Sequence, residues 1–234
     1  MRLDKYLGQN TNLSRSLAKK AISSGQISVN LECIKNTAFK VKMSDQVLYC
    51  GEPIVTLGHR YLMLNKPLGY ICSTQDELHP SVLNLIDIDK PDRLHIVGRL
   101  DVDTTGLVLI TDDGQWSHRI TSPKRNCQKT YQVDLAETLN AALSRDIIER
   151  FKKGLLLKNE FKATLPAQLV IQSNQKVLLS IQEGRYHQVK RMFAAVGNHV
   201  EALHRVSIGA ITLDTQLSEG EWRYLTEAEI TSMN

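Results

Sequence analysis

A chain of 234 residues, 42% hydrophobic and 23% charged, is long enough for one or two globular domains and too apolar for wholesale disorder. No apolar run approaches the roughly 18 residues that a membrane-spanning helix needs, so such a span is excluded. The net charge of +4 is unevenly spread: residues 1–60 hold nine Lys/Arg against four Asp/Glu, and the rest hold 20 against 21. A small basic module on a near-neutral larger one fits a polyanion-binding appendage on a working domain, and a merely solvated basic surface carries the same charge. Met1–Lys5 has no apolar stretch, so no secretory signal is expected. The cysteines at 33, 50, 72 and 127 form no Cys-x-x-Cys pair. No structural zinc is expected, and the composition reads as an intracellular, reduced, cytoplasmic protein.

Leu3, Tyr6 and Leu7 have helical spacing and predict a short opening helix. Ser14 is placed to cap a second helix, with Leu17 and Ala21 as its apolar face and Gly25 at its stop. Arg15 and Lys19 share a face about 200° around from Leu17, so they are expected in solvent. Gln26–Asn30 alternates as a strand, Leu31-Glu32 is read as a turn, and short strands follow near Ile34, Phe39–Val41 and Val47–Tyr49. Gly51 to Gly58 reads as a linker, dividing the chain into 1–58 and 59–234.

In the second part, Tyr61–Asn65 is an apolar strand ending at Lys66-Pro67-Leu68-Gly69, and Leu107–Thr111 is a buried strand stopped by Asp112-Asp113-Gly114. Lys129–Leu135 alternates. Leu143, Ile147, Ile148 and Phe151 mark a helix that Gly154 closes. Strands at 167–172 and 176–182 flank a hairpin turn, Val189–Val196 is an amphipathic helix, and strands follow near 200–213. Strands outnumber helices, and the hairpins indicate an α+β fold with a mixed, mainly antiparallel sheet and flanking helices.

Two segments carry the chemistry. Gly98–Leu107 is polar, holds three charges and feeds a buried strand, a common position for an active site, although a capped turn accounts for it as well. Asp101 and Asp103 face the same way if the segment is extended. In Glu183–Phe193, His187, Lys190 and Arg191 fall at i, i+3 and i+4 on a helix, with Arg185 before its N-terminus. Such a cationic helix start can hold a phosphate or a carboxylate, and it can equally be a solvated basic face. Tyr131 starts an alternating strand and either presents its ring to a pocket or packs. Lys66 is either a phosphate contact or a strand-end charge.

Residues 1 to about 50 resemble the S4 RNA-binding domain, through Arg2-Leu3-Asp4-Lys5-Tyr6-Leu7 and the run Ser14-Arg15-Ser16 to Val29-Asn30. That resemblance implies RNA binding through Arg2, Arg15, Lys19 and Lys20. The whole chain resembles the bacterial RsuA-type pseudouridine synthases. The matching pieces are Asn65-Lys66-Pro67-x-Gly69, Gly98–Gly106 around Arg99-Leu100-Asp101, Lys129-Thr130-Tyr131, and Gly184-Arg185-x-His187 through Phe193. The resemblance implies Asp101 as the catalytic aspartate, Tyr131 as a ring stacked on the target base, and Lys190 as the cation paired with that aspartate. It also implies Arg99 helping to extrude the base, with Lys66, Arg185 and Arg191 as further RNA contacts.

Within the family, Asp112–Thr121 and Glu183–Val200 resemble the members that act on 16S ribosomal RNA, free or in a small-subunit assembly intermediate. A monomer with no cofactor and no metal is expected, since isomerisation neither gains an atom nor transfers an electron. A synthase acting on 23S ribosomal RNA shares every one of these motifs. An RNA N-glycosidase using Asp101 and Asp103, and a non-catalytic assembly factor using the S4 module alone, are the other rivals.

Overall fold

The structure, a computed structural model, describes residues 1–42, 44–55, 58–76 and 78–233, with the backbone alone for 141 and 142. The chain divides after Gly58 into two units. In the first, helix α1 (Leu3–Asn10) buries Leu3, Tyr6 and Leu7 against α2 (Arg15–Ser23). Ser14 caps α2 by accepting from Leu17 N, and Gly25 follows its end at φ +77°. The buried stripe of α2 is Ala18, Ala21 and Ile22. Leu17, expected in that stripe, is instead 52% exposed. It lies one residue off the i, i+3, i+4 set that faces α1.

A small sheet of order β2-β1-β3-β4 covers the other side, formed by β1 (Ile27–Val29), β2 (Glu32–Cys33), β3 (Val47–Tyr49) and β4 (Glu52–Pro53). The first turn falls on Asn30-Leu31, one residue earlier than expected, with both residues at positive φ. That conformation suits a two-residue hairpin. Phe39–Val41 forms only an isolated bridge, between Lys40 and Arg2. The start of the expected linker is the strand β4, and its residues 56 and 57 lie outside the described residues.

The second unit is built on a nine-stranded sheet. Its spine is β5 (Tyr61–Lys66), β7 (Thr104–Thr111), β11 (Val200–Ile208), β8 (Lys129–Leu135), β10 (Lys176–Ile181) and β9 (Gln168–Ile171), with β13 (Trp222–Tyr224) outside β5. The strands β6 (His95–Val97) and β12 (Ile211–Thr212) attach to β7 and β11. Only β7–β11 is a parallel pair among these strands, so the sheet is mixed and mainly antiparallel, as the hairpins indicated.

Alternation along the strands sends side chains to two cores. Leu62, Leu64, Val108, Ile110, Val133 and Leu179 face α4 (Ala141–Lys153) and α5 (Gln188–Ala195), where Phe151 and Phe193 meet at 5.2 Å between centroids. Met63, Leu107 and Leu109 face α3 (Gly114–Thr121), with Trp116 and Ile120 fully buried, and α6 (Glu227–Thr231) closes the chain. Each buried Leu or Ile contributes about 1.5–3 kcal/mol.

Candidate active site

The parallel contact of β7 with β11 sets the floor of the site. Gly106 pairs with Arg205 at φ +98°, and a Cβ there would collide with the Arg205 carbonyl oxygen. The Arg205 side chain is 3% exposed, donating from Nε to Leu107 O (2.8 Å) and from Nη1 to Arg99 O (3.5 Å). One guanidinium thus ties the strand to the segment before it. From Gly98 (φ +78°) the chain passes exposed Arg99 to buried Leu100, whose N–H donates to Cys72 Sγ at 3.3 Å.

Residues 101–103 are a turn, not an extended segment, closed by Thr104 N donating to Asp101 O at 3.1 Å. Lys66, at the end of β5, holds this turn from beneath. Its ammonium donates to Thr104 O (2.7 Å), Pro67 O (3.0 Å) and Val102 O (3.3 Å). The side chain has no exposed surface. Burial pulls its pKa below the usual lysine value, against the raising influence of Cys72, Asp103 and Asp101. An ammonium has three donors, and here carbonyls take all three. Lys66 is therefore a strand-end charge, one of its two expected roles, but a buried one: its stem lies in the sheet and its ammonium is engaged by the loop carbonyls rather than left for a phosphate.

The turn separates the two carboxylates. Asp101, its side chain 32% exposed, lies 3.5 Å from His187 Nε2. Asp103, 63% exposed, takes Lys190 Nζ at 2.6 Å on each oxygen. Lys190 does not pair with Asp101, contrary to expectation. The reversal at Val102 points the two carboxylates at different positions of the facing segment: Asp101 meets His187 at the helix cap, and Asp103 meets Lys190 three residues on. The Lys190 hydrogen bond holds the Asp103 carboxyl below the usual carboxylate range, outweighing partial burial. His187 stands as N-cap of α5 in the left-handed region, φ +47°, which is uncommon for a non-glycine residue and concentrates at functional sites.

Two further expected RNA contacts are engaged internally. Arg185 donates to Glu183, Glu160, Lys162 O and Ala163 O. Arg191 donates to Glu160, Lys158 O and Tyr186 O. The loop between α4 and β9 folds back to supply most of those acceptors, Glu160 and the Lys158, Lys162 and Ala163 carbonyls, so both guanidiniums brace it. Likewise Arg2 grips Asp4 through two hydrogen bonds, of 3.0 and 2.9 Å, and is the main reason that buried carboxyl stays below its usual pKa. Arg15, Lys19 and Lys20 are exposed and make no ion pair among the described residues. The Tyr131 ring belongs to the core cluster beside Val133, 8% exposed, in register with Arg205 and Leu179.

The sequence marks His187 only as one member of a cationic helix start able to hold a phosphate or a carboxylate, and no motif singles out Arg205. The available signal for Arg205 was a charge at the same strand phase as buried Leu203.

The RNA pseudouridylate synthase family model matches residues 60–195, and the S4 domain model matches residues 1–47. Ribosomal small subunit pseudouridine synthase A of Escherichia coli (strain K12) is 53% identical over 234 residues, covering all of both chains. The protein of the same name from Vibrio parahaemolyticus is 52% identical, covering all of this chain and 99% of its own. A crystal structure of a pseudouridylate synthase superposes with a TM-score of 0.70 at 47% identity, covering both chains completely. Matched by that family model over residues 60–195 and by relatives about half identical along the whole chain, this protein belongs to the RNA pseudouridylate synthase family, with an N-terminal S4 domain.

Proposed function

We propose that this enzyme converts one uridine of 16S ribosomal RNA to pseudouridine, with Asp101 as its catalytic carboxylate. The observation that carries the choice of RNA is the end-to-end identity, 53% and 52%, with relatives named for the ribosomal small subunit. The reaction breaks the N1–C1′ bond, turns the uracil over and joins C5 to C1′. Substrate and product are isomers, so one carboxylate acting as nucleophile or base suffices for the covalent steps. Asp101 suits that part: it is partly exposed, sits on a turn fixed by Lys66, and has the His187 ring beside it.

Extruding the base from its stack takes a few kcal/mol, which an aromatic face offsets in part. The family resemblance assigns that contact to Tyr131, although its ring is 8% exposed and packed in the core cluster here, and exposed Arg99 fills the place the base leaves. Lys190 acts on the site through Asp103, keeping the outer half of the turn in place. Arg15, Lys19 and Lys20 of the S4 domain take phosphates. The enzyme works as a monomer on ribosomal RNA or an assembly intermediate in the cytoplasm; no helix among the described residues is long and apolar enough to cross a membrane.

Incubation with 16S and 23S transcripts, followed by carbodiimide-dependent reverse-transcription stops, tests the substrate. A single new stop in 16S RNA is expected. A stop confined to 23S RNA, or release of free uracil, overturns the proposal.

A further inference from the structure

Tyr186 stands next to the site and has no part in the scheme above. Its ring is 76% exposed and stacks on His187, with centroids 3.8 Å apart and planes 21° apart. His187 in turn is the ring nearest Asp101, at 3.5 Å. An exposed aromatic face thus continues directly outward from the carboxylate. A second ring, Phe161, is fully exposed on the loop between α4 and β9.

Exposing two aromatic faces adds nothing to stability, yet both are held firmly. Arg191 donates to Tyr186 O and, before Phe161, to Lys158 O, while Arg185 donates to Lys162 O and Ala163 O just after it. The two arginines also pair with Glu160, the carboxylate next to Phe161 in the chain. Lys158 and Lys162 flank Phe161, exposed and in no ion pair among the described residues. Aromatic faces interleaved with free cations suit unpaired nucleic acid: rings stack bases and lysines meet phosphates.

We infer that Tyr186 and Phe161 are stacking platforms for unpaired nucleotides flanking the target uridine, holding the RNA strand while the base enters the site. The inference rests on the proposed action on ribosomal RNA. Continuity with Asp101 through His187 selects RNA as the occupant, since the strand carrying a uridine into that site must pass the Tyr186 ring.

The test uses the full-length enzyme and its Tyr186→Ala, Tyr186→Phe and Phe161→Ala variants. Single-turnover isomerisation is followed on whichever of the 16S and 23S transcripts the wild type modifies. A wrong ribosomal subunit would then overturn the substrate proposal while the variant comparison still decides this one. In parallel, 2-aminopurine placed beside the target uridine reports stacking through its fluorescence quenching.

Tyr186→Ala and Phe161→Ala are each expected to raise the enzyme concentration for half-maximal single-turnover rate by on the order of 10-fold, with the saturating rate nearly unchanged. Tyr186→Phe should keep the wild-type value because the ring remains. Quenching should be lost for at least one flanking position in each alanine variant. Wild-type concentration dependence and wild-type quenching in both alanine variants would overturn the inference. So would a Tyr186→Ala defect confined to the saturating rate, which would make the ring only a support for His187.

Discussion

The cations that hold the catalytic unit together are used in the opposite way from those on the exposed face of α2. In the S4 domain, Arg15, Lys19 and Lys20 line an exposed helix surface with no ion pair among the described residues, and Arg2 alone is turned inward on a carboxylate. In the catalytic unit, Lys66, Arg205, Arg185, Arg191 and Arg223 are all spent on carbonyls and carboxylates of the same unit. The first pattern leaves charge available to a polyanion. The second turns charge into rigidity, holding a turn, a strand and a loop in place around Asp101. A count of basic residues near a motif therefore says little about RNA contact; what decides is whether backbone oxygens and carboxylates lie within reach.

That contrast is sharpest at Lys66. Lys66→Met removes the donor from three carbonyls at once, and should lower stability by about 3 kcal/mol and cripple turnover. Urea denaturation measures the first effect, and a loss below about 1 kcal/mol would mean that water or a neighbour replaces the ammonium.

Next in size is Arg223, which bridges Asp214 (2.7 Å) and Glu229 (2.8 Å) near the C-terminus. Its hydrogen bond is the chief reason Glu229 has a pKa lowered to about 2 from 4.5. Glu229 therefore takes up its proton at lower pH in the folded chain than in the unfolded one. Its contribution, on the order of 2 kcal/mol, is complete above the unfolded value and fades as pH falls through about 2. The stability gap between wild type and Glu229→Gln, measured from pH 6 downward, should close along that path. A gap constant with pH would show that the charge contributes nothing.

Lys190→Met should be milder. Asp103 is mostly exposed, and such pairs contribute about 0–1 kcal/mol. The Asp103 carboxyl should titrate at higher pH in the variant, a change that carboxyl-carbon NMR reads directly; an unmoved titration would argue that the 2.6 Å contact is absent in solution.

Least disturbed of all should be the fold of the triple variant Arg15→Gln, Lys19→Gln, Lys20→Gln, within about 0.5 kcal/mol of wild type. Its RNA affinity should depend on salt less steeply, by a slope change of about 2 if the three residues contact phosphates. An unchanged slope would break the comparison on its S4 side.

Periodicity exposed the long, regular elements: the opening helix, the β9–β10 hairpin and α5 were each readable from apolar spacing. It missed α3, β13 and α6, whose few apolar residues, Trp116, Trp222 and Ile230, are held by packing partners distant in sequence. The α6 start did carry a local sign, the Thr226–Glu229 capping box. In the site, motif order was legible and partnerships were not. Spacing cannot tell that the chain reverses at Val102, and that reversal hands Asp101 to His187 and Asp103 to Lys190. Nor can it tell that Arg185 and Arg191 meet a loop some 25–30 residues away.

Asp101, and not its neighbour two residues on, is assigned the isomerisation. Single-turnover conversion by Asp101→Asn and Asp103→Asn, alongside RNA affinity, tests that assignment most directly. Asp101→Asn should bind RNA nearly as wild type does and form no pseudouridine, while Asp103→Asn keeps measurable turnover. Pseudouridine formed by Asp101→Asn at close to the wild-type rate would contradict the assignment.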